Sequence, residues 1–197
     1  MISRTSLYKG YYFGMLGVVV ALSLGIVFYF HLTVFGALVL ALGLFVPGRI
    51  LGFFWRDLLR GLRFLHEKRY VKSKRHSELF LAKVEKRPWL KKLIWLGSGS
   101  YSRDPEALAL NNLGAAELML SELDSAREHL NASIAVDSLN PLPYFNLGNV
   151  HNVLGDKETA AHYFDKAVSL GYSRSVVDRI VMASQRRFAE DEGQGHS

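Results

Sequence analysis

The segment from Pro141 to Leu170, PLPYFNLGNVHNVLGDKETAAHYFDKAVSL, repeats the chain before it at an interval of 34 residues. Leu147-Gly148 falls on Leu113-Gly114, Ala160 on Ala126, Phe164 on Leu130, and Asp156 on Glu122. A fixed period of this length confines the fold to stacked helical hairpins, because a single hairpin cannot bury its apolar face alone.

The spacing within the unit says how such a hairpin closes. Tyr144, Leu147 and His151 recur at three and four residues and share one helix face. Gly148 lies on that face, where the missing Cβ lets a second helix come close; inside a helix Gly otherwise costs about 1 kcal/mol against Ala. Ala160, Phe164 and Ala167 set two small residues beside a large one, which suits close packing of helices. Gly155-Asp156 supplies the turn, and Asp156 is a good N-cap for the helix after it.

This pattern resembles the tetratricopeptide repeat family in two units, roughly 107–140 and 141–174, about a third of the chain. The repeat-defining residues are Leu113, Gly114 and Ala126 in the first unit, and Leu147, Gly148, Ala160, Phe164 and Ala167 in the second. The first unit departs from the family pattern with Glu117 in place of an aromatic residue, Ser121 in place of Gly, and Ser138 in place of Pro. The resemblance implies an all-α fold with a short helical-repeat (α-solenoid) domain.

The net charge of +6 conceals an asymmetry. Residues 1–47 carry two basic groups and no acid. Residues 48–103 carry fifteen Lys/Arg against four Asp/Glu, and residues 104–197 carry seven against fourteen. A basic middle thus separates an apolar front from an acidic repeat region. Cysteine is absent, which excludes disulfides and thiolate chemistry.

From Tyr11 to Val46 there are 36 residues without a charged side chain. One helix of that length would reach about 54 Å, well past a hydrocarbon core of ~30 Å. Two membrane-spanning helices, near 7–29 and 33–53, folded back at Phe30-His31-Leu32-Thr33, fit better. Pro47 and Arg49 interrupt the second. Gly10/Gly14, Ala21/Gly25 and Ala37/Ala41 place small residues four apart, either for close helix packing or as ordinary membrane-helix composition. The run is too long for a cleavable signal peptide. Arg4 and Lys9 at one end and Arg49, Arg56, Arg60 and Arg63 at the other put both ends in the cytosol. The expected localisation is therefore an integral membrane protein whose repeats face the cytosol.

Residues 51–96 read as two or three helices. The hairpin over 55–87, turning near Lys68-Arg69-Tyr70, is a candidate degenerate repeat. Trp89–Leu96 is short and amphipathic, placed either in the headgroup layer or over the first repeat. The basic stretch is better explained by anionic lipid and topology than by nucleic acid, since no recognised nucleic-acid motif accompanies it. Gly97–Ser102 reads as a linker, and Asp104-Pro105-Glu106 as a capped helix start. A last helix over 175–189 should cover the final repeat. The divisions expected are a two-helix anchor at 1–54, basic helices and linker at 55–103, two repeats and a capping helix at 104–189, and a disordered tail at 190–197.

No constellation in the chain points to catalysis, a metal or a cofactor. The seven His never fall in an H-x-x-x-H pair, and the acids read as solvated surface or caps. The expected activity is binding. The family resemblance implies a groove lined by the first helix of each unit: Asn111, Ala115, Leu118 and Met119, then Phe145, Asn149, Asn152 and Val153, with Arg179 from the last helix. Asn side chains both donate to and accept from an extended peptide. The expected role is a membrane-anchored adaptor that takes a protein partner (a peptide or helix) in this groove, with membrane lipid as a second partner and homo-oligomerisation compatible with so short a surface. A structural subunit packing through its hairpin and a membrane-tethered nucleic-acid binder are the alternatives.

Overall fold

The computed structural model describes residues 52–96, 102 and 104–182, together with residues 14, 17–23, 25, 26, 29, 36 and 49. Its helices are α1 (Arg56–His66), α2 (Tyr70–Lys86), a 3-10 helix (Pro88–Leu96), α3 (Pro105–Met119), α4 (Leu123–Val136), α5 (Pro141–Val153) and α6 (Lys157–Ser169). A further helix, α7, spans 174–182. The fold is all-α; among the described residues there is no strand.

Helices pair in sequence as α1–α2, α3–α4 and α5–α6, and each hairpin packs on the next. The first helices lie side by side, α1 against α3 and α3 against α5. The hairpin expected as a candidate degenerate repeat packs at the N-terminal end of the stack, against the first of the two repeats.

Three spacings make the hairpins equivalent. A Cβ added at Gly61, Gly114 or Gly148 would meet the residue sixteen further on: Ser77 Oγ at 2.9 Å, Leu130 Cγ at 2.7 Å, or the Phe164 ring at 2.6 Å. Seven residues after each Gly the chain turns through the left-handed region, at Lys68 (φ 58°), Ser121 (φ 62°) and Gly155 (φ 79°). The turn is closed alike in each, with the amides of Arg69, Glu122 and Asp156 donating to the carbonyls of Phe64, Glu117 and His151 at 2.8–2.9 Å. Those three acceptor residues each contact, through their side chains, the residue twelve positions on. Phe64 stacks on His76, Glu117 bonds to His129, and His151 stacks on Tyr163. Ser121 thus reproduces the glycine turn despite its Cβ, at the strain a non-glycine residue bears there.

Gly61 precedes Gly114 by 53 residues rather than 34, because the 3-10 helix and the segment after it intervene. Leu90 of that helix is buried, its carbonyl accepts the Trp55 indole N–H at 3.3 Å, and Lys91 pairs with Asp104 (3.6 Å) and Glu106 at the start of α3. The described part of the segment thus packs over the hairpin and the first repeat. Ser102, expected in a linker, is buried and donates to Asp137 Oδ2 at 2.6 Å.

Among the described residues the core forms three clusters, each of which joins a hairpin to the next element. Trp55, Leu58, Phe80 and Val84 meet Ala109 of α3. Ala126 and Leu130 meet Leu147 and Val150. Ala160 and Phe164 meet Val177 of α7, which covers the last hairpin as expected. Asp104, Asn140 and Asp156 cap α3, α5 and α6 through their side-chain oxygens, at 2.8–3.1 Å from the amides of Glu106, Leu142 and Thr159.

Among the described residues no helix is long and apolar enough to cross a membrane. Of the span expected near 7–29, residues 14, 17–23, 25, 26 and 29 are described and are helical; most of the span expected near 33–53 and the whole tail at 190–197 lie outside the described residues. No described atom comes within 4 Å of where a Cβ would stand at Gly14 or Gly25.

Candidate functional site

Two buried carboxylates correct the expectation that the acids are all solvated or capping. Asp57 of α1 is 5% exposed and is held by Lys83 and by His76 Nδ1 (3.1 Å) from α2. Burial pushes its carboxyl up, but the bonds from Lys83 and His76 more than reverse this and leave it below the ordinary carboxylate value. Glu117 of α3 is 1% exposed, with Lys74 Nζ at 3.2 Å and His129 Nδ1 at 2.7 Å. Lys74 also pairs with Glu122, and that bond raises its ammonium above the usual lysine value. Lys74 belongs to α2, so it clamps the first hairpin to the second. Glu117 gives Lys74, from the neighbouring hairpin, a buried counter-charge.

These groups lock helices together. Each carboxylate lies at hydrogen-bond distance from one lysine and one histidine. Among the described residues no three His, Asp or Glu side chains are grouped to hold a metal ion.

The nine groove candidates separate into layers. Asn111 and Ala115 are buried, and Asn111 Oδ1 accepts from Asn146 Nδ2 at 2.9 Å, tying α3 to α5. Asn111 thus lies in the seam between first helices, and Ala115 is buried. Phe145 is half-buried. It stacks on Tyr172 at 4.3 Å between centroids, contacts Phe164, and belongs to the cluster that α7 covers. Leu118 is half-buried against the second cluster. Asn149 and Asn152 are half-buried, while Met119, Val153 and Arg179 are exposed. The Arg179 guanidinium donates to the Ser175 carbonyl at 3.3 Å.

The open strip therefore runs along the C-terminal ends of the first helices, and it extends onto α1. By the 53-residue offset, Leu62, Leu65 and His66 take the places of Ala115, Leu118 and Met119. Leu62 is exposed, in contrast to its buried counterpart Ala115. The signal was in the sequence as Gly61 followed seven residues later by Lys68, but it lacked the preceding Leu of the other two units.

No protein-family model matches the chain, and no curated protein is matched by it. What the geometry defines is an all-α protein of stacked helical hairpins.

Proposed function

We propose that the chain is a tetratricopeptide-type adaptor, held at a membrane by its N-terminal run, that docks a protein partner along the strip formed by its first helices. The observation that carries this reading is the register shared by three hairpins, which aligns their first helices and leaves Leu62, Met119 and Val153 exposed together with polar Asn149 and Asn152. Apolar side chains beside amides that both donate and accept suit a helix or an extended peptide. The anchor is supported by the 36 uncharged residues of 11–46 and by Val18, Leu22 and Ile26, apolar side chains exposed on helical residues within them. With both ends of that run cytosolic by its flanking charges, the strip faces the cytosol.

Photoreactive side chains at Met119 and Val153, introduced into the full-length protein in native membranes, test the adaptor reading. A single crosslinked partner that is lost in Asn149→Asp/Asn152→Asp supports it. Equal labelling from an exposed position on the far helices, such as Lys166, counts against a groove.

A further inference from the structure

Beside the first hairpin lies a cleft of about 280 Å³ lined by Phe53, Phe54, Arg56, Lys83, Lys86, Arg87 and Leu90. Four cations surround an apolar floor. Lys83 is offset by Asp57, while no acidic group among the described residues pairs with Arg56, Lys86 or Arg87. Lys86 and Arg87 close the C-terminus of α2, where the helix dipole favours cations. Arg56 has no such account. It is the first residue of α1, one turn residue after the helical residues 52–54, and it is exposed. Three exposed cations that line one cleft make it a favourable seat for an anion.

The floor narrows the anion's identity. Phe53 is 71% exposed, and Trp89, 45% exposed, lies edge-on to Phe54 at 5.1 Å. Such aromatic exposure is expensive in water and ordinary at the interface between lipid and water. A simple inorganic ion would leave these rings uncovered. The cleft also follows directly on the uncharged run of 11–46, where the chain would leave the hydrocarbon.

We propose that this cleft binds the headgroup of an acidic phospholipid, with the phosphate among Arg56, Lys86 and Arg87 and the glycerol and first acyl carbons over Phe53 and Phe54. The volume suits one headgroup, at the lower end of small-ligand sites. This inference rests on the membrane-anchored reading, but it assigns a discrete site in place of a diffuse cationic face.

The test uses the full-length protein in a non-ionic detergent, titrated with dihexanoyl phosphatidylglycerol and followed by the fluorescence of the Trp residues. Saturable binding of one lipid per chain is expected, with none for dihexanoyl phosphatidylcholine. Each cation near an anionic headgroup strengthens binding roughly fivefold, so Arg56→Gln/Lys86→Gln/Arg87→Gln should weaken it roughly a hundredfold. The single variant Arg56→Gln should weaken it roughly fivefold, with an unchanged helical spectrum in both. Equal affinity in wild type and the triple variant overturns the proposal. So does inorganic phosphate displacing the lipid at equal concentration, or a duplex oligonucleotide binding more tightly through the same three residues. Alkaline extraction of native membranes, run separately, tests the anchor alone. Release from the membrane with the charge-dependent lipid binding intact would remove the anchor and uphold the cleft.

Discussion

Where Gly148 of α5 receives the ring of Phe164, Gly61 of α1 receives only the hydroxyl of Ser77. The first and third hairpins share their turn, their crossing residue and their i, i+12 side-chain contact, yet their interiors differ in kind. In the third, Ala160, Phe164 and Ala167 fill the space between helices with apolar volume. In the first, Ser73 and Ser77 occupy the corresponding inner positions; Ser73 Oγ donates to the Gly61 carbonyl at 2.8 Å, and the large residue is displaced to Phe80. Asp57 with Lys83 and His76 holds the first hairpin through a buried carboxylate, where the third has an exposed one, Asp156, against His151. The backbone geometry of the hairpin is thus compatible with two chemistries, and what both keep is a close approach at Gly and a left-handed turn seven residues on.

If that comparison is right, filling the close approach should hurt most where the neighbour is rigid. Gly148→Ala sets a Cβ 2.6 Å from the Phe164 ring, and Gly114→Ala sets one 2.7 Å from Leu130 Cγ and 3.0 Å from the Ala126 carbonyl oxygen. Neither neighbour is the free end of a flexible chain. Each substitution should cost about 3 kcal/mol, the upper end for an overpacked core, and lower the thermal midpoint of the full-length protein by circular dichroism. An unchanged midpoint would mean that the helices separate freely and that the glycines are not the reason for the register.

The next effect belongs to the first hairpin alone. Asp57→Asn leaves Lys83 without its counter-charge and should cost about 2 kcal/mol at neutral pH. Because the Asp57 carboxyl is held below its ordinary value in the folded chain, its contribution is complete above about pH 4, the unfolded carboxylate value, and fades as the pH falls through the lower folded value. Wild-type and Asp57→Asn midpoints should therefore converge below pH 4. Parallel curves down to pH 2 would show that Asp57 acts by shape and not by charge.

Why one hairpin was legible and the other was not follows from these chemistries. Leu147-Gly148, Ala160 and Phe164 announce themselves because apolar periodicity is the signal a sequence carries best. Asp104 and Asp156 were readable as caps for the same local reason. Ser73, Ser77 and Arg60 sit at the matching places of the first hairpin and read as surface. Its repeat offset is hidden further by the 3-10 helix. The groove was legible in register but not in depth: Asn111 and Phe145 have the right spacing, yet their seats against Asn146 and Tyr172 depend on neighbouring elements that no local pattern contains. The burial of Glu117 was not legible, because its partner, Lys74, lies 43 residues earlier in another hairpin.

Turn strain offers a smaller, opposite effect. Lys68 and Ser121 hold left-handed backbone that Gly155 adopts freely. Relief of the Cβ conflict exceeds the entropy lost by glycine, so Lys68→Gly and Ser121→Gly should each stabilise the chain by about 0.5–1 kcal/mol. Gly155→Ala should destabilise it by a comparable amount. A loss of stability in Ser121→Gly would show that its hydroxyl, and not its backbone, matters to the turn.

The smallest effect is the most pointed. A Cβ at Gly61 meets only Ser77 Oγ at 2.9 Å, with the next atoms at 3.5 and 3.6 Å in ordinary contact. That hydroxyl is buried without a hydrogen-bond partner. Removing it relieves an unsatisfied polar atom, and the Ala at 61 regains up to about 1 kcal/mol of helix propensity. Gly61→Ala/Ser77→Ala should thus leave the midpoint equal to or slightly above wild type, where Gly148→Ala collapses it. A drop in the double variant as large as that of Gly148→Ala would mean that the hairpins share one packing rule after all, and that the polar interior of the first has no part in holding it.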